Sequence, residues 1–195
     1  MMGATTDLAK LADLIKTRNE IDKEIAAVID RPASIGHIGE FIASLVFGIA
    51  LEESAVNKGH DGRFVDGPLA GKTVNIKFYG KWESILDVNP DGIPDYYLVL
   101  TGPKADSMTS RGGTRPLVIE SAFLFESGPL LAALRNRGVK LGPATSVAKH
   151  FWVTAEIYPT PKPGVFVLSA AQRTAIEIFS GLEANSSGPL TSVAR

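Results

Sequence analysis

Cysteine is absent from this chain of 195 residues, which removes disulfides, thiol nucleophiles and thiolate metal ligands together. Histidine is scarce. His37, His60 and His150 are the three, too few for an ordinary zinc site without several carboxylates, so structural zinc is not expected. No run of 18 apolar residues occurs, and the opening "MMGATTDLAK" carries an acid early and no signal-peptide hydrophobic region. A membrane span is therefore not expected, and a cytoplasmic location is. G-x-S-x-G, the dinucleotide-binding glycine fingerprint and the P-loop order are all missing, which sets aside the serine-hydrolase elbow and the common nucleotide cradles. No segment reads as a helix-turn-helix. An excess of one charge is lacking too: the formal net charge is −1. That argues against a protein that coats nucleic acid indiscriminately, while leaving room for a locally basic groove.

What is present is apolar content of 45%, spread along the whole length without a charged or low-complexity divider. This predicts one domain over residues 1–195 with a real core. Apolar residues at Leu8, Leu11, Ile15, Ile21, Ile25 and Val28 have near-helical spacing, with a start at Thr5 or Thr6 and a stop at Pro32. A second helix is expected through "SIGHIGEFIASLVFGIAL", with Ile38, Ile42, Leu45 and Ile49 facing the core and Glu40 off that stripe. The two helices are expected to pack as a hairpin.

Beyond residue 60 the period changes. "RFVDGPLAG" reads as a short strand and turn. "KTVNIKFYG" alternates, with Val74, Ile76 and Phe78 on one face and Asn75, Lys77 and Tyr79 on the other. "DYYLVLTGP" and "RPLVIESAFLF" are nearly continuous in apolar residues, as covered central strands are. "SGPLLAALRNRG" predicts a helix, "HFWVTAEIYP" a strand and "SAAQRTAIEIFSGL" a last helix. These elements sum to an α/β (α+β) domain with a mixed sheet flanked by helices.

A lysine on a packed strand calls for a reason. Between Lys58 and Lys81 five basic residues (Lys58, Arg63, Lys72, Lys77, Lys81) face two acids (Asp61, Asp66). Glu40 comes from the second helix, Asp61 precedes Gly62 at the entry to the hairpin, and Asn75 and Lys77 share a strand face. Two carboxylates converging beside a lysine suit a hard divalent cation, which accepts carboxylate oxygen and water. The lysine can orient the attacking water and offset phosphate charge. The bland readings stand beside this one. Lys77 can be an edge-strand lysine that discourages sheet association, Asp61 a turn residue, and Glu40 a solvent-facing helical glutamate.

The run "IGEFIA", "KGHDGRF", "VNIKFYG" resembles the PD-(D/E)xK nuclease superfamily, the restriction-endonuclease-like fold, over roughly Ser34 to Phe125. The resemblance implies a restriction-endonuclease-like mixed sheet and an early-helix glutamate in Glu40. It implies a hairpin aspartate in Asp61 and the x-lysine pair in Asn75 and Lys77. It further implies Mg²⁺ (or Mn²⁺) held by Glu40, Asp61 and Asn75, with Lys77 positioning water. The expected activity is hydrolysis of phosphodiester bonds in double-stranded DNA, as a type II restriction enzyme performs it, by a homodimer. Asn75 departs from the pattern, standing where the family carries an acid. Its carbonyl oxygen can ligate a metal but brings no charge. The alternative is a non-catalytic relative that binds DNA or a protein partner.

Other polar residues have local explanations. His60 and His37 flank the proposed site and read as surface histidines. Asp95, leading into a strand after Pro94, is either an extra site carboxylate or the cap of a turn, and the cap is favoured. The loop with Lys104, Arg111 and Arg115 either grips a phosphate backbone or is a solvated connection. Arg135, Arg137 and Lys140 sit where a helix C-terminus favours positive charge.

Overall fold

The computed structural model describes residues 2–52, 59–103, 116–160 and 166–181. The chain begins with α1 (Met2–Ile29) and α2 (Ile35–Phe47), followed by β1 (Ile49–Leu51), β2 (Gly62–Phe64), a short 3₁₀ turn, β3 (Thr73–Tyr79) and β4 (Ile85–Leu86). It continues through β5 (Tyr96–Thr101), β6 (Ser121–Glu126), α3 (Ser127–Asn136), β7 (Thr145–Ser146), α4 (Lys149–Ala155), β8 (Glu156–Tyr158) and α5 (Ala170–Glu177). Six strands form one sheet in the order β1-β2-β3-β5-β6-β8, and β4 pairs with β7 beside it. β3 and β5 are parallel, and the other neighbours in the large sheet are antiparallel. The expected mixed α/β architecture is present.

The alternation of β3 divides the core. Val74, Ile76 and Phe78 join Leu98 and Leu100 of β5 under Ile42, Ala43 and Val46 of α2 and Ile176 of α5. Tyr97 and Val99 face the other way, with Phe123 and Phe125 of β6, Leu130, Leu131 and Leu134 of α3, and Trp152 of α4. Helices thus cover both faces of the sheet, which is why β5 is buried at every residue and reads as a continuous apolar run. Gly39 brings α2 down onto β3. A Cβ there would lie 2.6 Å from Cβ of Phe78, so only glycine allows this approach.

Several expectations are corrected. α1 starts at Met2, ahead of Thr5 and Thr6, and ends at Ile29, where Asp30 takes φ 52° before Pro32. It does not form a packed hairpin with α2. Ile25 and Ile29 approach α2, while Leu8, Leu11, Ile15 and Ile21 remain about half exposed or more. Helical spacing shows that a stripe exists and is silent on whether anything covers it. In α2 the buried face is Gly39, Ile42, Ala43, Val46 and Phe47; Leu45 is 71% exposed and Ile49 belongs to β1. The helix ends because Gly48 adopts the left-handed conformation and its N–H bonds to the Ser44 carbonyl. "HFWVTAEIYP" is not a single strand: it is α4 followed by β8. Trp152 anchors the change, donating from Nε1 to the Val147 carbonyl at 3.1 Å and standing edge-on to Phe123 and Phe125. The strand predicted through "RPLVIESAFLF" meets β5 from Glu120, whose N–H bonds to the Thr101 carbonyl at 2.9 Å, and one residue upstream the Ile119 N–H bonds instead to the Phe179 carbonyl.

Candidate functional site

The site grows from a gap in the sheet. β2 pairs with β3 through Gly62 with Val74 and Arg63 with Thr73, and no further. From Asn75 onward that edge of β3 needs another partner, because strand N–H groups are obligatory donors. Asp61 supplies it. Its own N–H bonds to the Val74 carbonyl at 2.9 Å, and its carboxylate Oδ2 accepts the Ile76 N–H at 2.6 Å. Asp61 is half-buried, and burial pushes its carboxyl above the usual range, opposed by the Ile76 N–H and then by the charge of Lys77.

Glu40 reaches the same place from α2. The helix begins at Ser34, whose hydroxyl accepts the His37 N–H, and Gly39 seats its next turn on Phe78. The Glu40 side chain is 19% exposed and takes a 2.6 Å hydrogen bond from Nη1 of Arg31. Its carboxyl is nevertheless raised, first by burial and second by the negative charge of Asp61, against the pull of Arg31 and His37. Both carboxyls are raised chiefly because they are buried, and Asp61 adds to the effect on Glu40, although Arg31 and Lys77 stand near enough to oppose it.

Asn75 and Lys77 are both half-buried and point to the sheet face opposite α2. Lys77 reaches far enough to act on Asp61. Asn75 lies beside Tyr97 in the parallel register. Its Oδ1 is buried without a hydrogen-bond partner among the described residues, and so is the Tyr97 hydroxyl, whose pKa is pushed up to about 12 by burial. Glu40 therefore comes from one side of the sheet, Asn75 and Lys77 from the other, and Asp61 stands at the edge between them.

The oxygen donors offered are two carboxylates and an amide oxygen without a hydrogen-bond partner among the described residues, the donor type that hard divalent cations take. Among the described residues no group of three or more His, Cys, Asp or Glu converges to hold a metal.

The neighbouring polar residues are engaged. His60 Nε2 lies 3.2 Å from Oε1 of Glu52, which also holds Arg63 at 3.6 Å. His37 Nδ1 lies 2.9 Å from the Pro32 carbonyl. Asp95 takes the role of a clamp: Oδ2 accepts the Thr73 N–H and the Thr73 hydroxyl, each at 2.9 Å, and the Asp95 N–H bonds back to that hydroxyl at 2.8 Å. These bonds pin the starts of β3 and β5 together and hold the Asp95 carboxyl below its usual range. Arg135 lies in the last turn of α3 and Arg137 caps it, as dipole complementarity predicts. Lys58 and the loop with Lys104, Arg111 and Arg115 lie outside the described residues.

Sequence reasoning passed over Arg31. Its second guanidinium nitrogen donates to the Glu52 carbonyl at 3.3 Å, so one residue joins the end of α1, Glu40 and the strand edge. The available signal was its position in "DRP", at a break between two helices, where a long charged side chain turns toward whatever lies below. Comparison of the chain with protein-family models and with curated proteins finds no match. Among the described residues no helix is long and apolar enough to cross a membrane. The class that fold and geometry define is a mixed α/β domain with paired carboxylates and a lysine at an open strand edge.

Proposed function

We propose that this chain is a Mg²⁺-dependent endonuclease acting on double-stranded DNA, as a homodimer, in the manner of the nuclease superfamily that its sequence resembles. The observation that supports the reading is the pair of buried carboxyls, Glu40 and Asp61, Asp61 with Lys77 near enough to act on it and Glu40 raised in part by Asp61, together with the unpartnered oxygen of Asn75. A divalent ion held by Glu40, Asp61 and Asn75 Oδ1 would supply charge on the phosphoryl oxygen and a more acidic bound water. Glu40 and Asp61, whose carboxyls burial raises, would hold that ion. Asp61 keeps its geometry through the Ile76 N–H, so the ligand is fixed before substrate arrives. Lys77 would orient the attacking water and offset charge on the phosphate; as the water oxygen bonds to phosphorus one phosphorus–oxygen ester bond breaks, the water's proton passes to solvent and the leaving oxygen takes a proton from solvent. Arg31 balances Glu40 while no cation is bound.

The second reading, a non-catalytic relative that binds DNA or a protein, is favoured by the neutral side chain at Asn75. Cleavage assays on supercoiled and linear DNA with Mg²⁺ or Mn²⁺, beside calorimetric titration of the metal, separate the two. Metal-dependent cutting that is lost in Lys77→Ala and Asp61→Asn is expected. Neither cutting nor divalent-metal binding would leave the non-catalytic scaffold.

A further inference from the structure

The longest helix of the chain shows an apolar stripe to solvent. Along α1, Leu8, Leu11, Leu14, Ile15, Ile21 and Val28 are each 48–70% exposed. Single exposed leucines need no explanation, but these are periodic. Leu11, Leu14, Arg18, Ile21, Ile25 and Val28 follow steps of three, four, three, four and three, the spacing of a two-helix coiled-coil seam. Arg18 is the one polar member, and its charge is met within the helix by Asp22 at 3.5 Å.

We propose that α1 is a self-association helix whose occupant is α1 of a second copy, packed antiparallel. Three features favour this partner. The first is register. Antiparallel alignment about the middle of the seam sets Leu11 against Val28 of the second copy, Leu14 against Ile25, and Arg18 against Ile21. Every seam residue meets another, as two-fold symmetry requires. Parallel alignment sets Arg18 against Arg18, two like charges at a buried position.

The second feature is area. With Ile25 partly covered by α2, the seam side chains expose about 500 Å² per copy, or about 1000 Å² in total, the size that a specific interface should clear. The third is continuity. The last two turns of α1 and the first half of α2 border an apolar groove of about 350 Å³, lined by Ile25, Val28, Ile38, Phe41 and Phe179 among others. This groove lies at the end of the seam where Leu8 and Leu11 of an antiparallel partner arrive. Outside the seam α1 carries both signs, with Lys10, Lys16 and Lys23 against Asp7, Asp13, Glu20, Asp22 and Glu24, and Arg18 in the seam brings the helix to a net charge of −1, so two copies repel each other little. The interface stands on the helix itself, whether or not the chain cuts DNA.

The test is sedimentation equilibrium of the full chain from about 1 to 100 µM, with Leu14→Glu/Ile21→Glu as the disrupting variant and Arg18→Leu as the reinforcing one. A dimer is expected for the wild type, at least a 100-fold weaker one for the double variant, and a tighter one for Arg18→Leu. Circular dichroism checks that the fold is retained, as expected for exposed positions. Orientation is read by disulfide trapping, since the chain has no native cysteine. In the antiparallel pair two Leu11 residues stand about 25 Å apart. Leu11→Cys alone therefore fails to cross-link, whereas mixing it with Val28→Cys succeeds. A wild type monomeric throughout that range, or a dimer untouched by the double variant, overturns the interface. Cross-linking by Leu11→Cys alone overturns the antiparallel arrangement. Monomers that still cut DNA would separate this inference from the nuclease reading.

Discussion

Asp61 performs two jobs that substitution can pull apart. Its oxygen satisfies the Ile76 N–H at 2.6 Å, while its charge is resisted by burial and in turn disfavours the charge on Glu40. Asp61→Asn keeps an oxygen for the N–H and removes the charge. Asp61→Ala removes both. At neutral pH with chelator present, Asp61→Asn is expected to be more stable than wild type by about 1 kcal/mol, the usual gain where a functional site holds unfavourable charge. In a chain of this size that is a rise in Tm of about 2–4 °C. Asp61→Ala leaves the Ile76 N–H orphaned at a loss of about 1–3 kcal/mol relative to Asn, so the two variants should melt roughly 5 °C apart.

The pH dependence follows from the direction of the shift. Because the folded carboxyl is raised, the unfolded chain ionises first as pH increases, and wild type loses stability between the ordinary carboxyl pKa and the higher folded value. The advantage of Asp61→Asn is therefore full above that window and vanishes as pH falls below about 3.9. Calorimetric melts from pH 3 to 8 measure it. Equal destabilisation by Asn and Ala at neutral pH would refute the reasoning, because it would mean that the folded state favours the ionised carboxylate.

Gly39→Ala places a methyl group 2.6 Å from Cβ of Phe78 and is expected to lose about 2 kcal/mol by overpacking, seen as a Tm lower by about 5 °C. The helix carrying Glu40 must shift as well, so metal affinity should fall more than this stability change explains. Asn75→Asp restores an acid to the acid-x-lysine triplet. With chelator it should melt lower, because a third carboxylate joins an already unfavourable pair. In Mg²⁺ it should bind the metal about tenfold more tightly, since ligand charge tunes affinity, as titration calorimetry would report.

Much of the fold was legible because it depends on local pattern. Period-two alternation in "TVNIKFY" assigned the two faces of β3 correctly, and the unbroken apolar run "YYLVL" marked a strand covered on both sides. α2 was located by its stripe, although Leu45 was placed inside it and Gly39 was overlooked. Side-chain type alone does not reveal how closely a helix approaches a strand. The segment containing Trp152 failed for a related reason. Its β-favouring residues read as a strand, whereas the need to bury an indole against Phe123 and Phe125 wound the first half into a helix.

For the site, the sequence by itself determined which chemical groups are available: no thiol, few imidazoles, two acids, an amide and a lysine in a spacing that strand and helix geometry can use. It also determined that Asn75 and Lys77 share a face, since that follows from the two-residue repeat. Only the tertiary structure decided that Glu40 and Asp61 stand close enough to repel, because their meeting depends on where β2 stops pairing and on how low α2 sits over Phe78. It likewise decided that Arg31 faces Glu40 and that Asp95 is a clamp between β3 and β5. Charges interact through space and not along the chain, so these assignments required the fold.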